Sequence, residues 1–392
     1  MTARDFVVLA TADWDNPYWT NKQHVARELV RQGNRVLYVE SVASRRPRLE
    51  GRDLARIWRR LVRAFRKPRE VVPNLWVWSP TILPFHDLAS VRALNRFLLR
   101  WSLHFWRKRL GLRSEVLWTY SPITCEILDP DDFELCVYHA VDDIKEQPGM
   151  NREFIETAEW KLSKRADLIF TTAHHLQQHH EALNPRTHYF SNVVDYDHFS
   201  RALNHPSPPP DIASIPAPRI GFVGAISSYK VDLDLLAAVA AARPDWSFVM
   251  IGEVSEGEPL SDISSKIMLD NVHLLGGKPY QDLPAYLSCF DVAVLPNRLN
   301  EYTRSMFPMK FYEYLAAGRP IVATALPALS DLKHLFHTAT NSADFVNGIE
   351  AALAGKAAPL GLRLKEAEKN TYCTRTRAML ALLDGAVSQS RA

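Results

Sequence analysis

The sequence predicts an α/β protein of two domains, each a parallel sheet wound with helices on both faces. Three observations carry this expectation. Short apolar runs alternate with stretches of helical periodicity through both halves of the chain, the pattern of repeated β–α–β units. A proline-dense run, NHPSPPPDIASIPAP at 204–218, interrupts the alternation, which then restarts. The 392 residues also exceed what a single hydrophobic core holds.

In the first half, apolar runs predict strands at 6–10, 35–39, 75–78, 116–119, 135–138 and 168–171. Helical spacing predicts helices at 20–32, closed by Gly33, and at 152–164 and 173–183. The run 204–218 cannot hold a helix or a central strand, so it reads as a semi-rigid linker. Strands then follow at 220–223, 248–251, 272–275, 292–295 and 321–323. Helices are predicted at 231–242, 283–289, 342–354 and 364–383, and one more opens in a turn holding Pro308 and closes at Gly318. The resulting division is a first Rossmann-like domain at 1–203, the linker at 204–218, and a second at 219–365, with a cleft between the domains.

Composition excludes several classes. A net charge of +3 rules out a general polycation. The four cysteines lie far apart with no CxxC or Cys/His cluster, so neither a zinc site nor a disulfide framework is expected, and a reducing interior fits. The N-terminal stretch lacks a signal-peptide core, and no apolar run is long enough to span a bilayer. The loop after the first strand, ATADWDNP, holds no glycine, which argues against a nicotinamide or flavin fingerprint. GxxxxGK[ST] is absent as well, so a P-loop nucleotidase is not expected.

Charge is concentrated in a segment at 45–112. Arg45, Arg46, Arg48, Arg52, Arg56, Arg59, Arg60, Arg63, Arg66, Lys67 and Arg69 crowd its first part, among Leu54, Ile57, Trp58, Leu61, Val62 and Phe65 at helical spacing. Its second part sets Leu94, Leu98, Trp101 and Phe105 on one side, with Arg92, Arg96, Arg100, Arg107, Lys108 and Arg109 around them. Basic amphipathic helices with Trp and Phe suit an anionic membrane surface. The alternative is that the apolar stripes pack on the sheet and the arginines are solvated. Nucleic acid ranks last, because no helix-turn-helix, zinc finger or RNP-like motif is present.

Residues 305–320, SMFPMKFYEYLAAGRP, form the most informative stretch. Lys310 and Glu313 stand one helical turn apart and share a face. A helix N-terminus with a lysine beside it suits a diphosphate, and a carboxylate suits a ribose diol. An ordinary helix bearing a solvated Lys–Glu pair is the competing reading. In IGFVGAISSYK (220–230), a strand runs into Gly224, with Lys230 just past the loop. Gly252, and Gly276 with Gly277, repeat the strand-then-glycine pattern at one sheet edge, where such folds bind ligands. Asp232, Leu233 and Asp234 match the letters of a metal-holding DxD but fall in a predicted helix, so no metal is expected.

In the first half, the loop DWDNPYWTNKQH (13–24) caps a strand. Trp14, Tyr18 and Trp19 suit stacking on sugar rings, and Asp13, Asp15, Asn21 and Lys22 suit hydroxyls. In VYHAVDDIKEQPG (137–149), His139 ends a strand and Asp142 and Asp143 follow. A carboxylate there suits a general base for an acceptor hydroxyl, or else it caps the next turn. His174, His175, His179 and His180 lie on one helix. His175 and His179 have metal-pair spacing, but without an acidic partner all four read as surface histidines.

Four passages resemble the GT-B glycosyltransferases that use nucleotide-sugars and carry a Glu-x7-Glu signature, and in particular their bacterial polysaccharide and glucuronosyltransferase-like branch. They are FVGAISSYKVDLDLL (222–236), NVHLLGGKPYQDLPAYLSCFDVAVLP (271–296), SMFPMKFYEYLAAGRPIVAT (305–324) and FSNVVDYDHF (190–199). The resemblance implies that the terminal segment 366–392 returns to the first domain. It places Glu313 on the donor ribose, with Gly224, Lys230, Gly252, Ser305, Met306, Pro308, Met309 and Lys310 around the nucleotide. It makes Asp142, Asp143 and His139 the catalytic candidates, with Asp142 preferred over Asp143, and Trp14, Trp19, Asn21 and Lys22 the acceptor side. Two departures stand out. Ser305 occupies the place of the first signature glutamate, with Glu301 near enough in sequence to substitute, and Val193 replaces a usual glycine.

The implied activity is transfer of a sugar from a nucleoside-diphosphate sugar, UDP favoured, to a glycan or lipid-linked acceptor in cell-surface polysaccharide synthesis. The resemblance also implies retention of configuration, which the missing glutamate puts in question. No cofactor beyond the co-substrate and no nucleic-acid partner are expected. A cytosolic protein is expected, with peripheral attachment to the inner face of the cytoplasmic membrane left open by the basic segment. A nucleotide-sugar epimerase and a non-catalytic membrane-associated scaffold are the alternative classes.

Overall fold

The computed structural model describes residues 3–16, 18–41, 67–80, 88–113, 115–254 and 266–390. The chain divides into two compact units. The first holds residues 1–190 and 375–392, and the second holds 191–374.

The first unit is an eight-stranded sheet. Its strands are β1 (Asp5–Leu9), β2 (Arg35–Val39), β3 (Arg69–Val72), β4 (Leu75–Trp78), β5 (Glu115–Thr119), β6 (Leu135–Ala140), β7 (Leu168–Thr171) and β8 (Thr187–Tyr189). Their order is β3-β4-β2-β1-β5-β6-β7-β8, parallel throughout except for the β3–β4 hairpin. Phe6, Val7, Val8 and Leu9 are wholly buried, as expected of a central strand covered on both faces. Its longer helices are α1 (Asn21–Arg31), α2 (Ala89–Leu110), α3 (Arg152–Arg165) and α4 (His174–Glu181).

The second unit has a six-stranded, all-parallel sheet. Its strands are β9 (Arg219–Val223), β10 (Ser247–Ile251), β11 (Val272–Gly276), β12 (Val292–Leu295), β13 (Ile321–Thr324) and β14 (His337–Ala339), in the order β11-β10-β9-β12-β13-β14. Helices α5 (Leu233–Ala242), α6 (Met309–Ala316), α7 (Ser342–Leu353) and α8 (Leu360–Lys369) pack on it, and α9 (Tyr372–Ser390) follows. In each sheet the winding reverses at one point, between β1 and β5 and between β9 and β12. Ligands of such sheets bind beyond the carboxyl ends of those strands.

The two-sheet α/β class is as predicted, and several local expectations change. The expected helix at 364–383 is two helices, because the chain leaves helical geometry at Asn370 and Thr371. There Val194 N–H donates to the Asn370 carbonyl at 3.0 Å, and Val194 bridges Thr371. This tertiary tie ends one helix and starts the next. From Arg375 onward α9 belongs to the first unit, where Arg4 donates to Asp384 at 3.1 Å. The run 204–218, expected as a linker, lies inside the second unit, with Ile212 and Ile215 buried in its core.

Of the basic segment, residues 45–66 and 81–87 lie outside the described residues. The remainder packs on the first sheet. α2 buries Asn95, Leu99 and Leu103, not the stripe of Leu94, Trp101 and Phe105. Its arginines meet acids: Arg107 is bidentate on Glu115 at 3.0 and 2.5 Å, and Arg96 and Arg100 reach Asp129 and Asp132. His180 is likewise not a surface residue. It is fully buried, 3.0 Å from the Ser163 hydroxyl, and burial pushes its imidazole down to about 3. Among the described residues, no helix is long and apolar enough to cross a membrane.

Candidate active site

The second unit brings two loops together at its switch point. After β9 the backbone turns at Gly224 and is pinned to the loop after β10: Gly224 N–H donates to Ile251 O at 2.9 Å and Ile226 N–H to Glu253 O at 2.9 Å. The approach is close enough that a Cβ on Gly252 would stand 1.8 Å from the Gly224 carbonyl oxygen. Only glycine fits there. The far side of the same loop is held by the segment after β12. Arg298 N–H donates to the Lys230 carbonyl at 3.0 Å, Asn297 Nδ2 to the same oxygen at 3.2 Å, and Asn300 Nδ2 to Tyr229 O at 2.8 Å. Tyr229 meets Tyr302 edge-on at 5.1 Å, and Lys230 Nζ lies 5.2 Å from the Tyr229 ring centre. Asp232 accepts from Leu235 N–H as the cap of α5, and Asp234 faces Arg298 and Lys266. These two carboxylates therefore have structural partners.

The short turn Glu301–Arg304 leads into α6. Asn300 caps it, and Ser305 N–H closes it on Tyr302 O at 3.1 Å. Ser305 is fully buried, whereas Glu301 is exposed and lies 3.6 Å from Arg304. Pro308 stands in extended geometry as the residue before α6, where its missing N–H costs nothing. Lys310 Nζ donates to Glu313 Oε2 at 2.7 Å. The Glu313 side chain is 5% exposed and that of Lys310 26%. A nearly buried carboxylate requires such a partner. One residue on, the buried Tyr314 hydroxyl accepts from Val223 N–H at 2.8 Å. This fastens α6 to the last residue of β9, directly before Gly224. Asn192 Nδ2 donates to the Phe307 carbonyl at 2.6 Å and steadies the approach to α6. Gly318, at φ +72°, ends the segment.

Three groups near this site were not foreseen. His198 stacks on Tyr280 at 4.3 Å and its Nε2 lies 2.9 Å from the Tyr280 carbonyl. Burial lowers its pKa, with the charges of Arg201 and Lys310 adding to the effect. Tyr314 and Asn192 are the others. The glycosyltransferase-like passages contain Asn192, His198 and Tyr314, but nothing in their spacing shows what they touch.

In the first unit, the loop after β1 is an aromatic cluster. Trp14 N–H donates to Glu40 at 2.8 Å, and its ring meets Trp19 at 5.2 Å and Tyr38 at 5.1 Å. Asn21 Oδ1 accepts from Arg375 Nη2 at 2.7 Å, and Lys22 Nζ lies 5.7 Å from the Tyr120 ring centre. His139 stacks on that same ring at 4.9 Å. It is fully buried, and burial, with Arg375 and Lys22 contributing, holds it well below the usual imidazole range. So Asn21, Lys22 and His139 gather around Tyr120 at the carboxyl ends of β5 and β6. Tyr120 and Arg375 had no sequence signal. Asp142 is half-buried. Asp143 is buried, which raises its pKa against the opposing charge of Lys145, 4.0 Å away.

Residues 217–354, which contain every part of the second-unit site from Gly224 to Gly318, match the family described as Glycosyl transferases group 1. This stretch is a group 1 glycosyltransferase domain. The chain is also similar to the putative teichuronic acid biosynthesis glycosyltransferase TuaH of Bacillus subtilis (strain 168), at 30% identity over 190 residues. That alignment spans 46% of this chain and 46% of the relative. Solved structures match along nearly the whole length. Sucrose-phosphate synthase from Thermosynechococcus elongatus superposes with a TM-score of 0.68 at 15% identity, covering 98% of this chain and 100% of that one. Anabaena Alr3699/HepE, solved with UDP-glucose, gives 0.64 at 14% identity over 97% and 99%. These likenesses establish the GT-B fold around the glycosyltransferase domain.

Proposed function

We propose that the protein transfers a sugar from a nucleoside-diphosphate sugar, UDP-sugar favoured, to a glycan or lipid-linked acceptor in cell-surface polysaccharide synthesis. The observation that carries this is the Lys310–Glu313 pair on a helix fastened by Tyr314 beside the Gly224 loop, at the switch point of a glycosyltransferase-domain sheet. Glu313 binds the ribose hydroxyls. Lys310, Lys230 and the start of α6 stabilise the diphosphate as it leaves. Cationic side chains do this work without a metal in the proposed reaction. Two similar proteins support the reading: the TuaH relative is called a teichuronic acid biosynthesis glycosyltransferase, and HepE was solved with UDP-glucose.

The first unit holds the acceptor in this reading, through Trp14, Trp19, Asn21 and Lys22. Asp142 takes the proton from the acceptor hydroxyl, and the sugar keeps its anomeric configuration. His139, fully buried, positions Tyr120 and its neighbours instead of meeting the reacting atoms. The enzyme works in the cytoplasm, at the inner face of the membrane where a lipid-linked acceptor is presented.

The test is release of nucleoside diphosphate from a panel of nucleotide-sugars, with and without membrane extract. Release that requires the extract supports transfer. Sugar conversion without release would establish epimerisation instead, and no turnover with any donor would establish a scaffold.

A further inference from the structure

The outer face of α2 is unlike the rest of the described surface. Leu94, Phe97, Trp101 and Phe105 recur at three- and four-residue intervals and so lie along one line of the helix. They are 44%, 66%, 65% and 47% exposed. The line spans eleven residues, about 17 Å of helix. Trp101 and Phe105 are stacked at 6.4 Å with their planes 18° apart. The opposite face of the helix, Asn95, Leu99 and Leu103, is buried against the sheet. α2 is therefore fixed in its roll angle. Its arginines lock it further, through Arg96 to Asp129, Arg100 to Asp132 and Arg107 to Glu115.

A soluble protein rarely leaves a contiguous apolar ridge of this kind open to water without a use for it. Charge indicates the use. Lys108 lies one turn beyond Phe105 on the same outer face, with Arg109 next to it, and both are exposed, as is His104 between Trp101 and Phe105. No acid occurs anywhere in α2. The sequence that precedes it adds eleven arginines and lysines between Arg45 and Arg69. Rings at the water–lipid boundary, flanked by cations and held on a rigid scaffold, suit the interfacial zone of an anionic bilayer.

We infer that the Leu94–Phe97–Trp101–Phe105 ridge of α2 is the surface through which this protein docks on an anionic membrane, with the aromatic rings seated at the headgroup level and Lys108 and Arg109 on anionic lipid. This rests on the proposed membrane location and names its contact surface. Docking here presents the first unit, the proposed acceptor unit, to a lipid-borne substrate.

The test is co-flotation of the full chain with phosphatidylcholine vesicles that do or do not contain about one-third phosphatidylglycerol. The variants are Phe97→Ser with Trp101→Ser, two largely exposed side chains, and Lys108→Gln with Arg109→Gln. Calorimetric UDP binding and the elution volume of each protein are measured in parallel. Binding to the anionic vesicles that falls roughly ten- to a hundredfold in the ring variant, with UDP affinity unchanged, supports the inference. Weaker loss in the charge variant, increasing with salt, is expected beside it. Vesicle binding that the ring variant leaves intact overturns it and assigns attachment to the basic stretch at 45–69. A ridge-dependent shift in elution volume without vesicle binding overturns it in favour of a second copy of the chain. A protein that binds UDP but no vesicles also overturns it, and leaves the donor-site reading standing.

Discussion

At the scale of single residues, the chemistry reduces to a few side chains with defined partners. Lys310 and Glu313 are matched at 2.7 Å, and the Glu313 carboxylate is nearly buried. In the proposed donor complex this contact is exchanged: the diphosphate takes the ammonium, and the ribose takes the carboxylate. In the first unit, exposure separates the candidates for proton transfer. His139 is sealed among Trp118, Tyr120 and Phe170, and a charged imidazolium there is strongly disfavoured. Asp143 is also buried. Asp142, half-buried, is the more exposed of the two carboxylates and the proposed base. Asp142→Asn is accordingly expected to lower kcat by about a hundredfold or more while leaving nucleotide affinity within error. Steady-state rates and equilibrium binding on the same preparation check this. A variant that keeps full turnover would remove Asp142 from the mechanism.

At the scale of elements, Gly318 and Glu159 show how local rules support the site. Gly318 takes φ +72° at the end of the α6 segment, and a Cβ there would approach Leu203 to 2.7 Å. Gly318→Ala is expected to cost about 1–3 kcal/mol in urea unfolding, from the left-handed backbone and the clash together. Glu159, on α3, accepts from the Tyr138 hydroxyl at 2.5 Å and is 5% exposed. Burial raises its pKa from 4.5 to about 7, against the opposing effect of that hydrogen bond. A carboxyl raised on folding stabilises the native state while protonated in both states. That contribution is lost as pH climbs from the unfolded value to the folded one. Between about pH 4.5 and 7 the protein should therefore lose up to about 3 kcal/mol through this group. Glu159→Gln should flatten that slope, as read from urea midpoints across the range; an unchanged slope would assign it to other groups.

Elements also show what was legible in the sequence. The strands β1, β2, β4, β5, β6 and β7 and five of the second sheet were readable, because buried parallel strands are continuous apolar runs. β3, β8 and β14 were not: Arg69–Val72 carries Arg and Glu, and the other two are three residues long. The break at Asn370 was invisible because its cause, Val194, is far away in sequence. Likewise Lys310 and Glu313 announced themselves by spacing. Tyr314 and Asn192 act through backbone groups of distant segments, which no local pattern records. The buried side of α2, Asn95, Leu99 and Leu103, was not legible either, because Arg96 and Arg100 reach acids, Asp129 and Asp132, that lie some thirty residues away in sequence.

At the scale of the whole molecule, the proposed function divides the labour between two wound sheets. The second concentrates glycine turns, a fastened helix and a matched Lys–Glu pair at one switch point, and it is the glycosyltransferase domain. The first gathers aromatic and polar side chains around Tyr120 and carries the exposed ridge of α2. The central claim is that a nucleoside diphosphate is held by Glu313 and Lys310. Calorimetric titration of UDP into the parent protein and into Glu313→Ala tests it most directly. The account predicts a binding loss of about 1.5–3 kcal/mol, roughly ten- to a hundredfold, for removal of charge-assisted hydrogen bonds to the ribose. A Glu313→Ala protein that folds normally and binds UDP as tightly as its parent would contradict it.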